Sequence, residues 1–424
     1  MKREKVLICV LVALLILPTL FAQGEKAGAG KEAPVVLLHD KSGSPSYQPF
    51  FEGMAEIVKD RTGIVMEPTA YPSTDVFMAQ VRSSMLTKDA PGLFTWWSTY
   101  RMKDMIDSGV LAETTSLWDK HGDEFPQGLR DAFTFDGKVY GFPYSVEYWV
   151  IWYNKDVFKR YNLQEPKTWD EFTALSETLI KNKVTPLMTT VEGRWPTFII
   201  FEELVMGEDP QLYKDLCEGR AKYSDPRVVK AFKMWGDMIR AGYFTAPGTD
   251  VWAGGARDFN QGKVAMAPFG TWYMDTLTSN GVPEENIGAF ILPSHNPKAG
   301  NSVITEMSPL LISKNAANLE SAMKVADYWM SPEGNEVFAE FVTFYPANQK
   351  SGTDFLPEIK KEIAQTVIDG EFNVSNRYWE ATPTPICEVA VDQFAKFMIN
   401  PDTLDEVIVE LDRVADSYWK SVKK

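Results

Sequence analysis

Apolar positions along the chain switch between two periods. Residues 35–39 form a short apolar run of strand length, residues 50–62 carry apolar side chains at helical spacing, and residues 63–67 return to an extended, β-branched run. Together they predict a β-α-β opening. Residues 73–86 read as the next helix, 92–97 as a strand, and 101–108 as a helix closed by Gly109, a residue suited to the left-handed position after a helix. This alternation predicts a mainly parallel sheet with covering helices. Ligands of such sheets bind beyond the carboxyl ends of the strands, which puts the loops at 40–47, 71–74 and 96–101 on the candidate binding edge.

The pattern continues in the same style. Phe135-Asp136-Gly137-Lys138 is a turn, followed by an extended run over 140–153 long enough to cross between lobes. Thr168 and Glu171 are spaced as a capping box, in which each side chain satisfies a backbone N–H of the other residue. Asp225-Pro226 starts a helix reaching 241, and 258–266 holds a helix end, Gly262 and the start of a strand.

The N-terminus has a different character. Lys2, Arg3 and Lys5 precede an uncharged apolar run over 6–20, and Phe21-Ala22-Gln23 opens a polar stretch. This is the pattern of a secretory signal peptide, here expected to span 1–22 with cleavage after Ala22. The run is shorter than the roughly 20 residues of a bilayer-spanning helix, and no second such run follows. Residues 23–33, rich in Gly, Ala, Lys and Glu, are expected to be a flexible linker. Cys9 follows Ile8 inside the apolar run, so it lacks the position of a lipid-anchored cysteine. The mature chain keeps Cys217 and Cys387, whose pairing the sequence leaves open.

About 400 mature residues exceed what one hydrophobic core organises, so two domains are expected. A net charge of −15 without a Lys/Arg block excludes a nucleic-acid partner. His39, His121 and His295 are widely separated and the cysteines lack metal spacing, so neither a metal nor any other cofactor is expected. The 13 Trp residues change the picture more, because so many large rings do not all fit a core.

Five segments in order resemble the family 1 extracellular solute-binding proteins, the group of the maltose-binding protein. They are Gly141-Phe142-Pro143-Tyr144-Ser145-Val146-Glu147, Trp152-Tyr153-Asn154-Lys155-Asp156-Val157-Phe158, Pro166-Lys167-Thr168-Trp169-Asp170-Glu171-Phe172, Phe259-Asn260-Gln261-Gly262-Lys263-Val264-Ala265-Met266, and residues 322–338. The chain departs at Ala90-Pro91-Gly92, where the family has an Asp after the Pro. The resemblance implies an α/β, two-lobed periplasmic binding protein fold of type II, with hinge crossings and a ligand cleft between the lobes. It places the first lobe at 34–142 with 310–349, and the second at 143–304 with 350–424. It further implies a monomeric periplasmic receptor that captures a carbohydrate and delivers it to an ABC permease, whose transmembrane subunits work with a cytoplasmic ATPase.

A sugar ring offers C–H faces and a hydroxyl rim, so its receptor stacks it on aromatic rings and brackets it with carboxylates, amides and Arg. On this reasoning and by the family's positions, the candidate ligand residues are Lys41, Trp97, Arg101, Glu147, Tyr148, Glu192, Trp195, Trp272 and Trp379. Each also has a plainer reading: core packing for the rings, a helix-end role for Arg101, and an ion pair for Glu147. Tyr148 and Trp149 face opposite ways on a strand, so at most one of them meets ligand. Few cationic groups among many rings favour a neutral mono- or oligosaccharide. Two other functions fit an exported, Trp-rich chain. A glycoside-active enzyme would need two carboxylates flanking a bond, for which Glu147 and Glu192 are the candidates, yet no hydrolase motif accompanies them. A cell-envelope adhesin would leave an aromatic cleft unexplained.

Overall fold

The computed structural model describes residues 33–41 and 48–422. The signal peptide, Cys9 and the linker to residue 32 lie outside the described residues, as does the loop from 42 to 47. Among the described residues no helix is long and apolar enough to cross a membrane.

The opening follows the sequence pattern. Strand β1 (Val35–His39), the helix Gln48–Thr62, β2 (Met66–Ala70), the helix Thr74–Ser84 and β3 (Leu93–Thr95) occur in order, with β1 parallel to both β2 and β3. Strand β2 begins three residues later than the β-branched run suggested and runs through Pro68. A proline removes a ladder hydrogen bond, but β2 is the last strand of the sheet and has a free side to accommodate it. Gly109 takes the left-handed conformation expected after the helix Tyr100–Asp107, with φ 66°.

A hairpin of β4 (Thr134–Phe135) and β5 (Lys138–Val139) precedes the long strand β6 (Phe142–Asn154). The chain then adds β7 (Thr185–Leu187), β8 (Val264–Gly270), β9 (Ile287–Phe290), a second long strand β10 (Asn301–Ile312) and β11 (Phe372–Asn376). Apart from the hairpin, the strands join in one nine-stranded sheet in the order β2-β1-β3-β10-β6-β8-β7, with β11 on β10 and β9 on β6. The expectation of a mainly parallel sheet is corrected here. β10 runs antiparallel to β3 and β6, and β6 antiparallel to β8 and β9, because β6 and β10 run in opposite directions between the two halves of the sheet. One end of each long strand pairs toward β1 to β3, the other toward β8, β9 and β11. Nearly every residue of both is buried, so they read as continuous apolar runs rather than alternating ones.

The expected helix caps are present. Thr168 and Glu171 form the reciprocal capping box on the helix Trp169–Lys181, and the Asp225 side chain accepts from the N–H of Arg227 at the start of Pro226–Arg240. Trp118, Trp152, Trp235 and Trp329 are fully buried packing residues. His39 is buried and stacked on Phe51 at 4.4 Å, and burial pushes its pKa down to about 4, so the ring stays neutral. Cys217 and Cys387 are buried free thiols, pushed up by burial to about 12 and about 11.

Candidate functional site

The carboxyl ends of β1 and β2 bring Asp40, Lys41 and Thr74 to one cleft, and Trp97 follows β3 into it. The Thr74 hydroxyl donates to Asp40 at 2.9 Å, tying the first two loops together. The middle of the cleft is built by the long strands. The register between β6 and β10 shifts at Ser308 and Pro309, which leaves Tyr144 with no residue opposite it. This is a β-bulge, placed where Pro309 has no N–H to give to the ladder, and it turns Tyr144 into the cleft beside Ser145. Glu147 and Glu306 line the same region.

The remaining wall is aromatic. Trp272 follows β8 and stands edge-on or tilted to Trp195 at 5.9 Å, Trp252 at 5.6 Å and Trp149 at 6.3 Å. Gly270 makes this possible, since a Cβ there would lie 2.3 Å from Nε1 of Trp272. The indole N–H of Trp272 donates to Oε2 of Glu306 at 3.3 Å. At the other end Trp379 meets the edge of Trp97 at 6.0 Å. The cavity measures about 280 Å³, just below the roughly 300–1,000 Å³ of small-molecule sites.

Among the described residues, each cation that lines the cleft is matched by carboxylates. Lys41 lies 3.4 Å from Asp40. Burial alone would lower its pKa, but the acidic groups of Asp40, Tyr144 and Glu306 outweigh that and raise it, so the ammonium form is held. Arg377, buried, binds Glu306 at 2.9 Å and Glu380 at 2.6 Å. Arg194 binds Glu388 at 2.8 Å and Asp392 at 2.9 Å, and its backbone is held at φ 62°, a costly conformation for a non-glycine residue. Such a lining offers hydrogen bonds without an unmatched positive charge, which suits a neutral hydroxylated ligand better than an anion. Among the described residues there is no group of three or more His, Cys, Asp or Glu able to hold a metal ion.

The structure brings Lys41, Trp97, Glu147, Trp195, Trp272 and Trp379 together at this cleft. Three of the expected ligand residues lie elsewhere. Arg101 is buried beneath Trp379, its guanidinium carbon 3.6 Å from the ring centre, donating to Trp379 O at 3.0 Å and to Glu388 at 2.6 Å. It supports a cleft ring instead of meeting the ligand. Tyr148 packs on Tyr345 at 5.6 Å, because strand alternation sends it away once Glu147 faces the cleft. Trp149 is buried behind Trp272, so neither of that pair lines the cleft. Glu192 is exposed to solvent, since the left-handed turn at Gly193 and Arg194 directs the following residues inward instead. With Glu192 away from the cleft, the pair proposed for glycoside chemistry is not assembled.

Glu306, Arg377, Trp252 and Tyr144 also line the cleft without being among the expected residues. A signal existed for two of them: Glu306 is a lone charge in β10, as Glu147 is in β6, and Trp252 is a large ring beside Gly254-Gly255. Arg377 carried no local signal.

Comparison with known proteins agrees with this geometry. The model of the family described as bacterial extracellular solute-binding protein matches residues 44–336. An uncharacterized ABC transporter extracellular-binding protein of Pyrococcus horikoshii is 26% identical over 380 residues, 86% of this chain and 84% of that one. Among solved structures, the bacterial solute receptor AcbH, which has an exclusive preference for β-D-galactopyranose, superposes with a TM-score of 0.82 at 19% identity, over 92% of this chain and 99% of that one. A chitin oligosaccharide binding protein gives 0.80 at 19% identity, over 90% and 98%. These likenesses give the chain the two-lobed α/β fold of periplasmic sugar-binding proteins.

Proposed function

The chain belongs to the bacterial extracellular solute-binding proteins, the substrate receptors of ABC transporters, and on that premise we propose that it captures a neutral mono- or oligosaccharide in the periplasm and hands it to a membrane permease without changing it. The observation that carries this reading is the cleft itself, with a wall of Trp195, Trp252 and Trp272 facing carboxylates and hydroxyls whose neighbouring cations are already matched. Aromatic faces serve the C–H faces of a sugar, and the polar groups serve its rim. The lobes are assigned to 34–142 with 310–349 and to 143–304 with 350–424. The passage of β6 and β10 along both halves of the sheet supports that division, since these strands would carry the bend between lobes. A third crossing is expected near Tyr345, which bridges to Val146 of β6.

On this reading Lys41 and Trp97 contact the ligand from the first lobe, while Tyr144, Trp195, Trp272 and Trp379 contact it from the second. Only the closed arrangement satisfies both sets, so ligand shifts the population toward closure. The cognate permease reconstituted with its ATPase subunits is expected to hydrolyse ATP faster when given the liganded protein than when given the free protein. Equal rates with both forms would contradict the receptor assignment. The protein itself is expected to leave the sugar intact, which chromatography of the recovered ligand checks.

A further inference from the structure

Glu147 and Glu306 stand directly opposite each other on the antiparallel pair β6 and β10. Both are buried, and both line the cleft. Opposite residues of such a pair share a face of the sheet at Cβ separations of about 4.5–5.5 Å, where like charges repel. Two carboxyl groups brought together away from water do not ionise together.

Their surroundings decide which one keeps the charge. Oε2 of Glu306 lies 2.9 Å from the Arg377 guanidinium and accepts the Trp272 indole N–H at 3.3 Å, while its Oε1 accepts from Ser308 at 3.4 Å. Among the described residues Oε2 of Glu147 accepts only from the Thr271 hydroxyl. Oε1 of Glu147 is buried without a hydrogen-bond partner among the described residues. The charged and titratable groups around Glu147 are Glu306 from β10, Asp275 from the helix Tyr273–Ser279, Lys360 from the helix Glu358–Asp369, and Tyr345, with Tyr148 next to it in β6 on the opposite face. The one cation among them, Lys360, is engaged elsewhere: it donates to Thr343 O at 2.8 Å and to Thr343 Oγ1 at 3.2 Å, and lies 3.6 Å from Asp275.

Resting on the sugar-receptor reading above, we propose that Glu147 meets the ligand as a neutral carboxylic acid, donating the O–H of Oε1 to a ligand oxygen, while Glu306 holds the single negative charge of the pair. A carboxylate at that point could only accept hydrogen bonds, whereas the acid form requires the ligand to present an acceptor there: a hydroxyl lone pair, a ring oxygen or a glycosidic oxygen. The floor of the cleft thus selects the orientation of the bound sugar. Burial, assisted by the charges of Glu306 and Asp275 and opposed by Lys360 and Thr271, pushes the Glu147 carboxyl up to about 8. Since the donor exists only in the protonated form, affinity is constant below that value and falls as pH rises through it, by about tenfold per pH unit once the group is ionised.

Two measurements test this, and the first needs no ligand. Infrared difference spectra of the free protein, wild type minus Glu147→Gln, are expected to show a protonated-carboxyl C=O band at neutral pH that disappears between about pH 7 and 9, as the raised ionisation midpoint requires. Absence of that band at neutral pH overturns the proposal, whether or not any sugar binds. The second is the pH dependence of affinity for the sugar found to bind. Wild type should lose affinity above about pH 8, Glu147→Gln should bind within a few-fold of wild type and show no pH dependence, because its amide keeps a donor, and Glu147→Ala should bind weakly throughout. Glu306→Gln, which removes the repelling charge, should move the loss of wild-type affinity to lower pH than that about-8 midpoint; no movement, or a flat wild-type profile, overturns the pairing. If no sugar binds at all, the receptor reading fails while the infrared result still reports on the proton.

Discussion

Trp272→Ala is expected to weaken sugar binding about 30-fold and to cost about 3 kcal/mol of folding stability at once. From sequence, stacking and core packing are rival readings of this ring. The geometry joins them: Trp272 lines the cleft, yet only 9% of its surface is exposed, and it touches Trp149, Trp195, Trp252 and Phe269. Its removal takes away one stacking face and opens a space between those rings. It also takes an indole donor from Glu306. Affinity by calorimetry and the urea midpoint should be measured on the same variant. Lost stability with unchanged affinity would make Trp272 a packing residue only. Trp272→Phe keeps a ring but loses the N–H, so it should recover most of the stability and part of the affinity.

Arg377→Met should destabilise the protein by about 3–5 kcal/mol, the cost of leaving buried charge without its partner. The guanidinium lies between Glu306 and Glu380 and also faces the ring of Trp149 at 5.6 Å. Once it is gone, two buried carboxylates lose the cation that pairs with both of them. Those carboxyls would then be forced toward the protonated form, so the folded variant holds protons that the unfolded chain releases. Its deficit relative to wild type should therefore shrink as pH falls toward 5 and grow as pH rises. Urea unfolding of both proteins at pH 5 and pH 8 measures this. A deficit below about 1 kcal/mol, or one independent of pH, would show that the ion network carries no stability.

How much of this was legible in the sequence depended on how local the cause was. The strand Val35–His39, the capping box at Thr168 and the left-handed Gly109 follow from residues within a few positions of each other, and all are present. The antiparallel passage of β6 and β10 is set by partners more than a hundred residues apart, and no local pattern carries it. The same holds at the cleft. Trp97, Trp195, Trp272 and Trp379 are expected at the cleft from sugar chemistry and the family's positions, and each lines it. Arg101 was legible as a cleft-edge residue but not as the support of Trp379, because that role depends on Trp379 and Glu388, nearly three hundred residues away. Tyr144 was hidden by the bulge: an uninterrupted alternation would have sent it to the face opposite Ser145.

Whether the aromatic cleft holds a neutral sugar is decided by isothermal titration of the mature protein against a panel of neutral mono- and oligosaccharides. Saturable binding of at least one sugar is expected at one site per chain, with a negative heat-capacity change from burial of the aromatic wall, and with marked weakening in Trp272→Ala. No binding of any neutral sugar, together with saturable binding of a sugar phosphate or another anion, would contradict it.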